Sequence, residues 1–472
     1  MTEQPIKFVS KADALYEEMF DWDVNAGDQH VVAKRMPGKH RRLKWFAMSV
    51  WLIYFLTPYL RWQDEQAVLL DIANRQFHLF SVNLFPQDIW MLSLTLLFFA
   101  ILLAALTSIG GRVFCGYFCF QTVWTDVYTK IETWLEGDTP QKQAKFHKAS
   151  LTVNKASRRV LKHTLWLTIA LLTGVTFSAW FTDAYQLWVN IFNLQVHIAV
   201  WIVLLVFTVF TYIFAGFMRE QVCFWLCPYA RLQGVMYDQN TVLPAYDAER
   251  GEPRGKLKHD TADSQKGSCI DCHLCVAVCP TGIDIRKGQQ EGCITCGLCI
   301  DACDSVMDKI NEPRGLIRYA SYAELYQKAR HVALLKRPRV VLYGLILMLS
   351  LAGIFYGFTT LSVTDLSVIP ERQPRFVKLS NGDIQNRYTL KLLNKGNQPI
   401  TVQYRIAGLP GASLHGLESS YIVEPGKVIP LNALVRAPAN VVSTGISSLQ
   451  FVAEVPGAPS LTAEYESIFT AP

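Results

Sequence analysis

The sequence Cys269-Ile-Asp-Cys272-His-Leu-Cys275-Val-Ala-Val-Cys279-Pro280 is followed by Cys293-Ile-Thr-Cys296-Gly-Leu-Cys299-Ile-Asp-Ala-Cys303, and thirteen residues separate Cys279 from Cys293. Both motifs have the spacing C-x2-C-x2-C-x3-C, in which three cysteines bind one iron–sulfur cube and the fourth binds the neighbouring cube. Eight thiols in this order disfavour a pair of structural zinc sites. The two motifs therefore predict a bacterial ferredoxin-like module with two [4Fe–4S] clusters.

The spacing also predicts which thiols share a cluster. The first cluster set is Cys269, Cys272, Cys275 and Cys303, and the second cluster set is Cys293, Cys296, Cys299 and Cys279. Cluster binding is expected to supply much of the folding free energy of so short a module. Four acidic residues lie near the motifs and are expected to favour the oxidised clusters: Asp271, Asp284, Asp301 and Asp304.

The module is inserted into a chain with long apolar stretches. The sequence has 472 residues, of which 51% are hydrophobic and 18% charged. A helix that crosses a membrane needs about 20 mostly apolar residues. Five stretches meet this requirement and predict a five-helix membrane protein: 43–60, 89–110, 164–182, 197–217 and 340–360.

The distribution of basic residues predicts the orientation. Lys and Arg number eight in 1–44, nine in 111–163 and seventeen in 218–339, but two in 61–88 and none in 183–196. Because positive charge stays on the cytoplasmic side of short loops, the N-terminus and the ferredoxin module are expected in the cytoplasm. Residues 1–20 lack the apolar core of a signal peptide, so the internal spans are expected to direct insertion into a bacterial inner membrane. The net charge of +6 follows the ends of the spans, which argues against a nucleic-acid partner.

The C-terminal tail has a different pattern. Tyr388, Leu390 and Leu392 alternate with polar residues, and Asn394–Asn397 reads as a turn. Alternation with a period of two predicts half-buried strands. About 100 residues of such strands predict a periplasmic all-β sandwich of the immunoglobulin type.

The remaining four cysteines form a repeat. Cys115 and Cys119, and likewise Cys223 and Cys227, follow an apolar stretch and an arginine, Arg112 or Arg219. If each pair continued its span as helix, its two sulfurs would share one face, and Gly116 would allow another backbone to approach closely. Soft thiolates select Cu(I), zinc or iron–sulfur clusters, whereas buried cysteines also pack simply as small apolar residues. We call these four residues the thiol quartet and predict a redox or metal site there.

With these motifs in hand, the chain resembles the FixG/CcoG (RdxA) family of cytochrome c oxidase accessory proteins. Trp22–Asp28, Cys115–Trp124 and the order of the elements carry the resemblance. It implies a membrane-bound reductase that converts Cu(II) to Cu(I) for the copper centre of cbb3-type oxidase, with oxidase assembly factors or copper transporters and chaperones as partners. Cys223, Cys227 and Pro228 match the family's CxxxCP motif, and Phe120 stands in place of the proline after Cys119.

Two other functions remain open at this stage. Related membrane ferredoxin proteins oxidise quinol, although the predicted periplasmic tail contains no cysteine. A scaffold for oxidase assembly with redox-sensing clusters is the second, and the identity of the electron donor is open. The predicted domains are an N-terminal segment (1–42), a four-helix membrane domain (43–236), the ferredoxin domain (237–339), the fifth span (340–360) and the β-sandwich (361–472).

Overall fold

A computed structural model describes residues 31, 33–80, 82–255, 267–290, 292–328, 332–439, 441–442 and 445–472. The segment Trp22–Asp28 lies outside these residues. The described residues up to Ile53, together with Phe99–Val175 and Ile198–Leu347, form a first compact unit. A second unit contains Tyr54–Phe98, Thr176–His197 and Met348–Pro472.

The helices of the described residues run in the following order. They are α1 Lys39–Met48, α2 Trp51–Leu56, α3 Ile89–Gly110, α4 Val113–Tyr117, α5 Phe120–Glu136, α6 Pro140–Lys148, α7 Val153–Ala179, α8 Ala184–Phe192, α9 Ile198–Ile213, α10 Pro228–Met236, α11 Ala248–Gly251, α12 Leu274–Ala277, α13 Leu298–Lys309, α14 Tyr322–Tyr326 and α15 Pro338–Thr360. Two π-helical turns, Phe214–Met218 and Val222–Leu226, lie between α9 and α10.

Within the described ranges, four helices are long and apolar enough to cross a membrane. They are α3, α7, α9 with the π-helical turn that continues it, and α15. Their mean hydropathy over 18 residues lies between 1.4 and 2.6. Large apolar side chains on α15, such as Met348 and Phe355, are exposed, as expected for helices that face lipid.

The predicted first span differs from this description and corrects the count of five. Residues 43–60 divide into the end of α1, a break at Ser49 and Val50, the six-residue α2 and a 3₁₀ turn. The physical reason lies in α1, where Lys44 is 1% exposed and forms an ion pair with Asp126 of α5. A buried charge with a protein partner fixes α1 against α5, and the apolar residues that follow form α2 and the 3₁₀ turn instead of one long helix.

The strands are as follows: β1 Arg61–Trp62, β2 Glu65–Gln66, β3 Val68–Asp71, β4 Gln76–Leu79, β5 Val82–Leu84, β6 Val242–Tyr246, β7 Ile317–Ser321, β8 Thr364–Pro370, β9 Val377–Lys378, β10 Ile384–Asn394, β11 Ile400–Ala407, β12 Ser413–His415, β13 Tyr421–Val423, β14 Val428–Ala437, β15 Ile446–Glu454 and β16 Ala463–Thr470. In the first unit, β6 pairs antiparallel with β7, from Val242 opposite Ser321 to Tyr246 opposite Ile317. This two-stranded sheet packs against the cysteine loops through Tyr246, Leu316 and Ile317.

The tail is a two-sheet sandwich, as the alternating pattern predicts. One sheet has the order β12-β14-β10-β8, with β9 added to β10, and the other has the order β13-β11-β15-β16. Tyr388, Leu390 and Leu392 are fully buried between the sheets. The predicted fold class, apolar helices with a ferredoxin module and an immunoglobulin-like tail, is confirmed.

Candidate iron–sulfur sites and the thiol quartet

The first cluster set surrounds one cavity. Its four thiols line this cavity together with apolar side chains that include Leu274, Val306 and Ile317. Asp271 and His273 have φ of 50° and 55°, and this left-handed backbone curls the loop between the cysteines. Cys303 reaches the cavity from α13, which belongs to the second motif in sequence.

The second cluster set surrounds a neighbouring cavity. Cys279, the last cysteine of the first motif, lines it with the three thiols of the second motif. Cys275 borders both cavities. The crossed arrangement therefore has the geometry that the spacing predicts, and the ligand assignment itself stays a prediction.

The cavities fit iron–sulfur clusters chemically. Burial raises the pKa of the Cys275, Cys293 and Cys303 thiols to about 12 each. A thiolate at such a position needs a cation against it, which iron supplies. Over the described residues, no three His, Cys, Asp or Glu side chains are arranged around a single metal ion. The thiols instead line two neighbouring cavities, four or more to each cavity.

Acidic residues near the motifs already have polar partners, and their expected effect on the clusters stays a prediction. Arg286 contacts both Asp271 and Asp284 and is 9% exposed. Asp301 accepts hydrogen bonds from the backbone N–H groups of His40 at 2.9 Å and Arg41 at 3.1 Å. Asp301 thus caps the first turn of α1, where the helix dipole favours negative charge.

The two CxxxC pairs share a backbone design that differs from a continuous helix. The chain breaks after α3 at Gly111 with φ of 63°, and after the first π-helical turn at Arg219 with φ of 45°. Cys115 lies in the short helix α4, and Cys223 lies in the second π-helical turn. The break separates each pair from its span, so the premise of an uninterrupted helix is wrong.

The second cysteine of each pair is the N-cap of the next helix. Cys119 precedes α5 with ψ of 128°, and Cys227 precedes α10 with ψ of 110°. Pro228 explains the extended backbone of Cys227, because a proline disfavours helical geometry in the residue before it. Phe120 gives the same geometry without a proline, so the first pair keeps the turn despite this departure from the motif.

The four thiols of the quartet come close enough to interact. The pKa of Cys223 is raised to about 12, mostly by burial and to a smaller extent by the three other thiols of the quartet. Burial raises the pKa of Cys115 to about 11, against a hydrogen bond from Gln233 that lowers it. The structure therefore brings together the two pairs that lie more than 100 residues apart in the sequence.

Gln233 of α10 is a member of this site that the sequence patterns do not reveal. Its side chain is fully buried, and Nε2 donates to Cys115 Sγ at 3.3 Å. Its Oε1 is buried and has no hydrogen-bond partner among the described residues. One glutamine in an amphipathic helix carries no recognisable spacing, so only the packing of α10 beside α4 identifies it.

Buried ion pairs hold the second CxxxC pair in place. Arg219 Nη2 lies 2.7 Å from Glu132 Oε2, and Lys162 Nζ lies 3.5 Å from Glu132 Oε1 and 2.7 Å from Glu136 Oε1. All four residues are buried. Because Arg219 forms the break that leads into Cys223, Glu132 of α5 indirectly positions this thiol.

We expect Glu132→Gln to destabilise the first unit. The change leaves Arg219 without its carboxylate partner, and losing one partner of a buried pair typically costs about 3–5 kcal/mol. The measurement is the midpoint of thermal unfolding in detergent, followed by circular dichroism. The matched control is Asp138→Asn, which removes an ion pair to Lys142 that is mostly exposed. A control that lowers the midpoint as much as Glu132→Gln would contradict this role for the buried pair.

Models of protein families match three parts of the chain. A model of a 4Fe-4S dicluster domain matches residues 218–322, and a model of a 4Fe-4S binding domain matches residues 92–138. A model of the Ig-like fold at the C-terminal of FixG matches residues 354–472. The first two matches include all twelve cysteines.

Curated relatives match most of the chain. Nitrogen fixation protein FixG of Rhizobium meliloti is 35% identical, and the match covers 90% of this chain and 90% of its own. Protein RdxA of Cereibacter sphaeroides is 40% identical and covers 81% of this chain and 83% of its own. A crystal structure of a FixG-related protein from Vibrio parahaemolyticus is 29% identical, covering 23% of this chain and 97% of that chain with a TM-score of 0.21.

Proposed function

The chain belongs to the FixG/RdxA family of iron–sulfur electron-transfer proteins, and from this premise we propose that it reduces Cu(II) to Cu(I). The family resemblance suggests that the Cu(I) supplies the copper centre of a cbb3-type cytochrome c oxidase. Copper is the substrate of this reaction, and the clusters are the resident cofactors.

The observation that carries the proposal is the convergence of four thiols, of which Cys115 is buried and the other three are half-buried, beside the ferredoxin module. Thiolate sulfur is a soft ligand that prefers Cu(I) to Cu(II). A site of this kind makes the reduction of bound copper more favourable, because it stabilises the product ion. Iron–sulfur clusters exchange electrons singly, which matches the one electron that each Cu(II) requires.

The residues of the protein have distinct tasks in this reaction. The thiol quartet binds the copper ion, and Gln233 donates a hydrogen bond that stabilises negative charge on Cys115. Arg112 lies close enough to lower the pKa of Cys115 and Cys223, against the larger effect of burial. Both groups favour the thiolate form that copper needs.

We also propose a location in the bacterial inner membrane with the ferredoxin module in the cytoplasm. The grouping of the segments supports this orientation. The described residues of the basic segments 1–44, 111–163 and 218–339 fall in the first unit, and those of the segments 61–88, 183–196 and 361–472 fall in the second. Segments on one side of a membrane are expected to group in this way.

An anaerobic reduction assay tests the proposed function. The purified protein in detergent is reduced with dithionite, freed of excess reductant and mixed with Cu(II) and a Cu(I)-specific chelating dye. Two clusters that each give one electron should yield about two Cu(I) per chain. Protein stripped of iron by acid is the control. A yield no higher than this control would contradict the proposal, and cluster reduction by a quinol analogue would favour a quinol dehydrogenase.

A further inference from the structure

The two cluster sets have different surroundings. Cys272 of the first set is exposed, and the adjacent His273 side chain is 62% exposed. Cys296 of the second set is buried, and its neighbours Ile294 and Thr295 are 4% and 0% exposed. The first set therefore reaches the surface at Cys272, whereas the Ile294–Cys296 loop of the second set is covered by protein.

The covering element is the turn that carries the first CxxxC pair. A Cβ added at Gly116 would collide with the carbonyl oxygen of Ile294 and would lie 3.2 Å from both the N and Cα atoms of Cys296. The two backbones are therefore in direct contact, and only glycine fits at position 116. This is the close approach that Gly116 predicts, with the ferredoxin loop as the partner.

Hydrogen bonds fix the same contact on both sides of Gly116. The Tyr117 hydroxyl donates to the carbonyl oxygen of Cys296 at 3.0 Å. The Arg112 backbone N–H donates to Thr295 Oγ1 at 3.0 Å. Cys115 and Cys296 also belong to one buried apolar cluster. The loop of the second set is thus held against the thiol quartet by packing and by polar contacts.

From this contact we infer a direction of electron flow, which rests on the proposed function. Electrons arrive at the first cluster set from an external one-electron reductant and pass to the second set. They leave through the Ile294–Cys296 loop toward the thiol quartet. Gly116 and Tyr117 are positioning residues for this last transfer.

The reaction balances with one electron per copper. The quartet thiols release their protons to solvent when Cu(II) binds, and the bound Cu(II) then gains one electron and becomes Cu(I). The second set loses that electron and regains one from the first set. The external reductant then restores the first set, so a fully reduced chain holds about two electrons for copper.

The order of the two sets is tested by removing them one at a time. We expect reduced Cys272→Ala protein, which lacks the first cluster, to give about one Cu(I) per chain, and Cys293→Ala protein to give almost none. The reverse result, or about one Cu(I) from each variant, would overturn the inference. Iron analysis verifies that each variant keeps its remaining cluster.

The contact itself is tested at Gly116 and Tyr117. The added Cβ of Gly116→Ala must push the Ile294–Cys296 loop away, so this change should slow the oxidation of the clusters by Cu(II) severalfold. Stopped-flow absorbance measures this rate. Tyr117→Phe, which removes only the hydroxyl, should give a smaller loss. The control is Gly344→Ala in α15, where an added Cβ meets nothing within 4 Å.

A spectroscopic measurement separates this inference from the proposed function. Gly116→Ala should change the EPR signal of the second cluster, which is the signal that Cys293→Ala protein lacks. The signal of the first cluster should stay unchanged. If wild-type protein does not reduce Cu(II), the proposed function fails whatever the EPR result. If wild-type protein reduces Cu(II), and both Gly116→Ala and Tyr117→Phe keep the wild-type rate and spectra, the inferred route is wrong.

Discussion

Replacement of all four quartet cysteines by serine should abolish the reduction of Cu(II) while the absorbance of the iron–sulfur clusters persists. Serine keeps the size of each side chain and removes the soft sulfur that favours Cu(I). Loss of a group that merely supports a metal ligand costs about 10–100-fold. Loss of the ligands themselves should therefore reduce the rate by more than about 100-fold.

The geometry predicts a further property of this variant. Because the two pairs converge on one site, the double variant Cys115→Ser/Cys119→Ser and the double variant Cys223→Ser/Cys227→Ser should each be nearly as inactive as the quadruple variant. Groups that act as one unit are strongly non-additive in this way. The rate of dye-detected Cu(I) formation measures the loss.

The control for both variants is iron content, which should stay near eight per chain because no cluster ligand is changed. Gln233→Leu offers a milder comparison, since it removes one hydrogen bond to Cys115 and leaves all four sulfurs. A double variant that retains half of the wild-type rate would show that the pairs act separately. Full activity in the quadruple variant would show that copper is reduced elsewhere.

The cluster sites were the most predictable part of the molecule. Their ligands are set by short-range spacing, since three cysteines within seven residues must reach one cluster whatever surrounds them. The crossed position of Cys279 and Cys303 follows from the same spacing. The alternation of Tyr388, Leu390 and Leu392 likewise predicted their burial, because side chains on a strand alternate between the two faces.

Features that depend on distant partners were not predictable in this way. The break in the first apolar stretch depends on Lys44 meeting Asp126, and these residues belong to different helices. Gln233 also gains its role only where α10 packs beside α4. The acidic residues of the cluster loops show the same limit, because charge alone does not reveal that Arg286 already pairs with two of them.

The backbone geometry of the CxxxC pairs was predictable only in part. Pro228 signals that Cys227 leaves helical geometry, but Phe120 gives no such signal for Cys119. Gly111 permits the first break, whereas Arg219 takes a positive φ without being glycine. Backbone strain of this kind persists only when surrounding contacts fix it, and Glu132 provides such a contact through its ion pair with Arg219.

The crossed ligands lead to the second large effect. Cys303→Ala should remove the cluster of the first set, although Cys303 belongs to the second motif in sequence. Cys279→Ala should remove the cluster of the second set, although Cys279 belongs to the first motif. In each case the iron content should fall from about eight to about four per chain. The loops around the lost cluster should unfold locally, because cluster binding supplies their folding free energy.

Two reference variants identify which cluster is lost. Cys269 lies in the first motif and lines the cavity of the first set, so Cys269→Ala should lose the first cluster. Cys293 lies in the second motif and lines the cavity of the second set, so Cys293→Ala should lose the second cluster. The EPR spectrum of reduced Cys303→Ala protein should match that of Cys269→Ala, and the spectrum of Cys279→Ala should match that of Cys293→Ala. The opposite pairing of spectra would mean that each motif binds its own cluster. The route from the exposed first set to the second set beside Gly116 would then need to be redrawn, since Cys279 and Cys303 would no longer link the two motifs.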